Sequence, residues 1–274
     1  MKKIILLLIV ISSQYLSQNK TEIFPDDLLI QPFAANILEP KLGFLFQTGE
    51  NELRLDIGNS IDVLRYKLTE YETFSLGADL FTYTLLRGES DFHFPVDAVD
   101  YLFGINFGYK NTTDRIEYGA RLRLSHISAH FVDGHFDNQK QQWRDGLVPR
   151  VYSREFVELM PFIKWNEIRF YAGFTYLINV TPSELGRDSY QIGFDYFGAS
   201  LISEYLTPFI AYDFKLVNIA DYFGNNSFNL GLKFGKQGGK GISIYFHYYS
   251  GKSVHGEYYD FNKEYSAIGF NIDL

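Results

Sequence analysis

Cysteine is absent from the 274-residue chain. That excludes structural disulfides, thiol catalysis and a lipid anchor on an N-terminal cysteine. Basic runs are missing as well. The net charge is -8, and no cluster of Lys and Arg offers the phosphate footprint of nucleic-acid binding. Past the N-terminus no stretch approaches the ~20 consecutive apolar residues of a membrane helix. Proline (8) and tryptophan (2) are scarce. Aromatic residues are abundant by contrast, with 21 Tyr and 26 Phe beside 23 Gly. Yet mean hydropathy is only -0.13. Apolar content without an apolar run fits a membrane β-barrel, where only alternate residues face lipid. A soluble β-sandwich is the other reading, and it seldom carries so much Tyr and Phe.

The first residues read as an export signal. Lys2 and Lys3 precede an apolar run from Ile4 to Ile11, then small and polar residues, with cleavage near Ser17 or Gln18. The run is too short for a membrane anchor. Residues 1–17 are thus a signal peptide and 18–41 a periplasmic N-terminal segment, with Pro25, Pro32 and Pro40, placed against the barrel end. Residues 42–274 form the barrel.

From Leu42 onward apolar residues alternate with polar ones, predicting about twelve strands: 42–48, 51–66, 72–85, 98–110, 115–128, 150–164, 167–179, 189–200, 204–216, 226–237, 240–251 and 262–274. In the second, Leu53, Leu55, Ile57, Ile61 and Val63 hold one parity, while Arg54, Asp56, Ser60 and Asp62 hold the other. Short turns (111–114, 165–166, 201–203, 238–239) alternate with longer loops (86–97, 129–149, 180–188, 217–225, 252–261). The fold class is therefore all-β: a transmembrane antiparallel β-barrel with both termini periplasmic, in a Gram-negative outer membrane. The last strand ends on alternating apolar residues through Leu274, as the barrel assembly machinery requires of a partner.

One stretch concentrates chemistry: Arg121-Leu122-Arg123-Leu124-Ser125-His126-Ile127-Ser128-Ala129-His130-Phe131-Val132-Asp133. By parity Glu117, Arg121 and Arg123 face the lumen, where Arg54 and Asp56 join them in a polar network. Such a network is structural filling first; a small-solute channel is an alternative. His126 and Ser128 hold the lipid-facing parity. In the next strand Ser153 and Glu155 face outward, so antiparallel pairing sets Glu155 opposite His126 and Ser153 opposite Ser128. Opposed Cβ atoms lie ~4.5–5.5 Å apart. Carboxylate, imidazole and hydroxyl are the ingredients of nucleophilic catalysis: Ser128 as nucleophile, His126 as base, Glu155 as its orienter. The alternative is an ordinary interfacial belt of polar residues. A metal site is a weaker reading. His126 and His130 would sit ~13 Å apart on an extended strand, leaving the loop residues His130, Asp133, His135 and Asp137; no metal is assigned.

From Ile23 to Ile178 the chain resembles an uncharacterised family of exported Gram-negative envelope proteins. The landmarks are Ile23-Phe24-Pro25, Asp97-Ala98-Val99-Asp100-Tyr101, the Arg121-x-Arg123-x-x-His126-x-Ser128-x-His130-x-x-Asp133 element, and Tyr152-Ser153-Arg154-Glu155. Ala129 departs from the Ser frequent in that family. The resemblance implies an outer-membrane barrel and supplies no activity. More locally, His126-Ile127-Ser128 is similar to the His-x-Ser pair of the outer-membrane phospholipase A family, and Ser153-Arg154 echoes its downstream Ser-Arg element. That likeness implies a lipid ester substrate, with Ser153, Arg154, His130 and Asp133 as candidate binding residues, and calcium only if the hydrolase reading holds. Two departures stand against it. Ala129-His130 replaces the family's Asn-Gly, and its His-orienting Asn has no counterpart here. The leading expectation is an envelope barrel with a structural or interaction role, contacting outer-membrane lipid. A lipid-directed serine hydrolase (phospholipase or lipid A deacylase-like) is the alternative. The sequence assigns no oligomeric state.

Overall fold

A computed structural model describes residues 20–183, 185–199, 201–236 and 238–273. The assignment of 1–17 as a signal peptide falls outside them. The strands are β1 (Thr21–Ile23), β2 (Leu42–Gln47), β3 (Glu52–Lys67), β4 (Glu72–Arg87), β5 (Val96–Thr112), β6 (Ile116–Phe131), β7 (Phe136–Asp137), β8 (Gln142–Trp143), β9 (Tyr152–Trp165), β10 (Ile168–Thr181), β11 (Asp188–Phe197), β12 (Leu206–Ile219), β13 (Asp221–Gly235), β14 (Gly241–Lys252) and β15 (Asn262–Asp273). Twelve of these, all but β1 and the small β7–β8 hairpin, pair antiparallel with both neighbours. Pairing of β2 with both β15 and β3, and of β3 with β4, closes the ring.

Alternation in the sequence becomes an apolar exterior. Leu80 is 67% exposed and Ile192 is 60%, and Phe44, Ile105, Leu124, Phe170 and Phe246 also point outward. A soluble monomer would not expose such a band all around its girth; lipid accounts for it. Tyr190 and Tyr222 at one rim, and Tyr71 and Trp165 at the other, add the amphipathic rings that favour membrane interfaces.

The two ends differ. One carries the tight β5–β6 and β9–β10 turns (the short-turn end) and the other the 132–151 and 253–261 loops (the loop end). The pattern is not uniform. The expected 217–225 loop is strand, because β12 and β13 continue to a tight turn at Ala220 (φ 62°). The 198–205 connection at the short-turn end is longer than the three residues expected. Strand β6 runs to Phe131 instead of stopping at 128, so His130 belongs to the strand.

The lumen is filled in two different ways. Toward the loop end it is an aromatic core of Phe81, Tyr83, Leu102, Ile127, Tyr152 and Phe156. The 253–261 loop folds over it. There Glu257 accepts from the Phe131 and Arg150 backbone amides at 3.1 and 3.3 Å. Gly256 is required at that contact, since a Cβ would lie 2.2 Å from Tyr152 Cδ1.

Toward the short-turn end the lumen is polar and holds part of its own chain. Strand β1 pairs with the end of β3, and residues 28–41 then run inside the barrel. The sequence reading placed this segment against the barrel end. It lies within because lumen cations need partners. Arg169 donates to the carbonyls of Gln31 and Pro32, both at 2.7 Å. Arg54 donates to Ile37 at 2.9 Å, and Ser227 donates to Ala35 at 2.7 Å. Phe33, fully buried, lies under the guanidiniums of both Arg121 and Arg169.

Candidate active site on the outer face

The register of β6 on β9 pairs His126 with Glu155 and Ser128 with Ser153, as parity predicted. His126 Nδ1 lies 2.7 Å from Glu155 Oε1. Since a carboxylate can only accept, Nδ1 carries the hydrogen in the neutral ring and Nε2 is the basic nitrogen. Both side chains are partly exposed, 26% and 40%, on the lipid-facing surface near the loop end. Ser128 is two residues from His126 on the same face and also partly exposed. Among the described residues its hydroxyl makes no hydrogen bond to the imidazole.

The neighbouring strands complete the surface. On β5, Phe103 pairs with His126 and Tyr101 with Ser128, and the Phe103 ring centroid is 4.9 Å from that of His126. On β10 the register shifts between Leu177 and Asn179, so Asn179 comes opposite Glu155 and Thr181 opposite Ser153. Ile178 and Asn179 are consecutive yet both exposed, as a β-bulge requires. Two rows result: Phe103–His126–Glu155–Asn179, and Tyr101–Ser128–Ser153–Thr181. Sequence parity missed Asn179 and Thr181 because one extra residue reverses the alternation beyond it. Among the described residues Glu155 Oε2 is buried and has no hydrogen-bond partner.

The other predicted residues scatter. Arg154 points inward against Tyr152 (5.6 Å), so it is no part of the outer surface. The parity that aims Ser153 and Glu155 outward must aim Arg154 the other way. His130 is exposed beside Tyr101, and Asp133 is exposed in the loop beyond. His135 turns inward, stacked on Phe131 at 4.0 Å, and burial pushes its imidazole below the ordinary range. The loop residues weighed for metal binding therefore do not converge. Calcium takes six to eight oxygens, usually with several carboxylates. The outer surface offers hydroxyls, the Asn179 amide and one carboxylate already bonded to His126, which does not fit that ion.

The lumen network is as expected and larger. Arg123 contacts Asp79 at 3.0 Å, Glu39 at 3.2 Å and Glu158 at 3.4 Å, while Arg121 meets Glu39 at 2.8 Å. Arg54 pairs with Asp56 at 2.7 Å, and Glu117 with Lys164 at 3.2 Å. Glu39, wholly buried, came from outside the predicted barrel, so strand parity could not find it.

The profile of a family described as "Protein of unknown function (DUF1207)" matches residues 97–273. No curated protein sequence matches the chain. Among solved structures it is similar to outer membrane phospholipase A from Escherichia coli, with TM-score 0.57, 15% identity, and coverage of 88% of this chain and 93% of that one. The Salmonella typhi outer membrane phospholipase, solved as a dimer with bound calcium, gives 0.53 at 15% identity over 85% and 89%. A Pseudomonas aeruginosa FadL homologue gives 0.36 at 13% identity over 81% and 67%. At 15% identity the likeness to the two phospholipases speaks to the fold alone, a closed barrel of the outer-membrane type.

Proposed function

The chain belongs to the DUF1207 family, whose function is unknown, and we propose that it is an exported outer-membrane barrel that hydrolyses lipid esters at its outer face. The observation carrying this reading is the 2.7 Å contact from His126 Nδ1 to Glu155, with Ser128 on the same surface. With Nδ1 held by a carboxylate, Nε2 is left to take the Ser128 proton as the oxygen attacks an ester carbonyl. The imidazolium then returns that proton to the leaving alcohol, and water cleaves the acyl-serine by the same route. The longer loops would lie outside the cell, putting the site at the outer-leaflet headgroups. The Ser128–His126 contact would close on substrate, since catalytic hydrogen bonds are often long without it.

The other reading, the leading expectation from the sequence and not displaced by the comparisons, is the envelope barrel with a structural or interaction role. It is favoured by the filled lumen and by the Ser128 hydroxyl standing apart from His126. One experiment separates them. Purified wild type and Ser128→Ala are compared on phospholipid and lipopolysaccharide vesicles, with and without calcium. Fatty-acid release by wild type alone supports the hydrolase. Equal background release from both sinks it and leaves the structural role.

A further inference from the structure

The barrel wall has a seam. Strand β2 is six residues long and pairs with β3 only as far as Leu42 opposite Ile57. Strand β1 takes up the same edge of β3 at Leu64 to Tyr66, and Phe24 donates to the Val63 carbonyl at 3.0 Å. Between them Gly58 to Asp62 pair with β4 on one side and, among the described residues, with no strand on the other. An unpaired edge within a barrel wall is costly in hydrocarbon unless something polar reaches it.

A cavity of about 230 Å³ opens at this edge. It is lined by Gly58 to Asp62 along the unpaired edge, by Lys41 and Leu42, and by Gly239 and Lys240 of the turn between β13 and β14. It adjoins a second cavity of about 310 Å³ beneath the lumen segment, sharing Leu28, Pro32 and Lys41 with it. The inner cavity has an apolar side made by Leu28, Ile30, Phe162, Phe209 and Tyr245. Its charges are mostly matched: Arg169 with Asp195 and Lys233 with Asp273, both at 2.7 Å, and Lys164 with Glu117 at 3.2 Å. Lys41, at the junction of the two cavities, is different. Its ammonium has one long contact, 3.5 Å to the Ala34 carbonyl, and no carboxylate within 4.0 Å among the described residues. Phe33 and Glu39, fully buried in the same segment, line neither cavity.

We propose that the seam and the cavity behind it form a binding site for a single-chain amphiphile with an anionic head. The head would sit on Lys41 and the tail along the apolar side, with entry from the membrane past Ile61. The packed loop half of the lumen makes this a site of binding and not of transit. It is independent of the outer-face chemistry.

The test uses the full-length protein in maltoside micelles, titrated with octanoate, octyl phosphate and octanol. Both anions should saturate a single site, with octanol about tenfold weaker, the scale of one partly buried charge pair. Comparing the two anions tells whether a carboxylate or a phosphate head is preferred. Lys41→Met should reduce octanoate to the affinity of octanol, and Lys41→Arg should retain it. Ile61→Trp, on the lipid-facing rim, should slow octanoate association without moving its end point, a readout that stands if the Lys41 variants fold poorly. Absence of saturable binding to wild type, equal affinity for octanol and octanoate, or unchanged binding by Lys41→Met each overturns the proposal.

Discussion

Glu155 separates catalysis from architecture at the scale of one residue. It is 40% exposed, so its bond to His126 is worth under about 1 kcal/mol to stability, as for other surface pairs. If it orients a catalytic imidazole, Glu155→Ala should leave thermal stability almost unchanged while lowering lipid hydrolysis at least about 10²-fold. Glu155→Gln should recover part of that loss, because an amide oxygen still accepts from Nδ1. Parallel melting and hydrolysis measurements check both; a fall in stability without a kinetic effect would assign the pair to strand pairing. His126, Ser128 and Glu155 were legible in the sequence because two adjoining strands keep strict alternation up to the site. Asn179 was not, since the bulge that turns it outward leaves no mark on composition. Arg154 shows the rule from the other side, as it was grouped with residues whose parity it does not share.

The lumen segment carries the largest consequence at the scale of an element. Glu39 is its electrostatic anchor, fully buried between Arg121 and Arg123. Glu39→Ala leaves two buried guanidiniums short of a counter-charge, a loss of about 3–5 kcal/mol in comparable pairs. Unfolding in urea from detergent micelles should show that shift, with added proteolysis within residues 28–41 where the segment leaves the lumen. An unchanged midpoint would mean the arginines are satisfied by Asp79 and Glu158 alone. The twelve strands themselves were readable to within a few residues at most ends, the 217–225 stretch being the main exception. The segment was not, because Pro25, Pro32 and Pro40 deny it any period, and its partners lie on strands far away in the chain.

For the whole molecule the decisive feature is that the interior is largely filled. The aromatic core and the 253–261 loop fill one half, and residues 28–41 fill much of the other. In planar bilayers the wild type should show no steady conductance. Glu39→Ala should show none either, because the loop half stays packed whatever the segment does. Stable ohmic steps from either protein would restore the channel reading.

Local chemistry was enough to determine the class of fold, the strands and the outward parity of His126, Ser128 and Glu155. A period of two fixes which face each side chain takes, and lipid outside makes the apolar face unambiguous. A trace of the packed half was also present: Phe81, Tyr83, Leu85, Ala98 and Leu102 put apolar or aromatic side chains on the lumen-facing parity. Only the tertiary structure decided what fills the barrel, where Glu39 finds its arginines and where β2 stops short of its neighbour. Those depend on closure of the ring. Closure brings together residues whose separation along the chain carries no periodic signal.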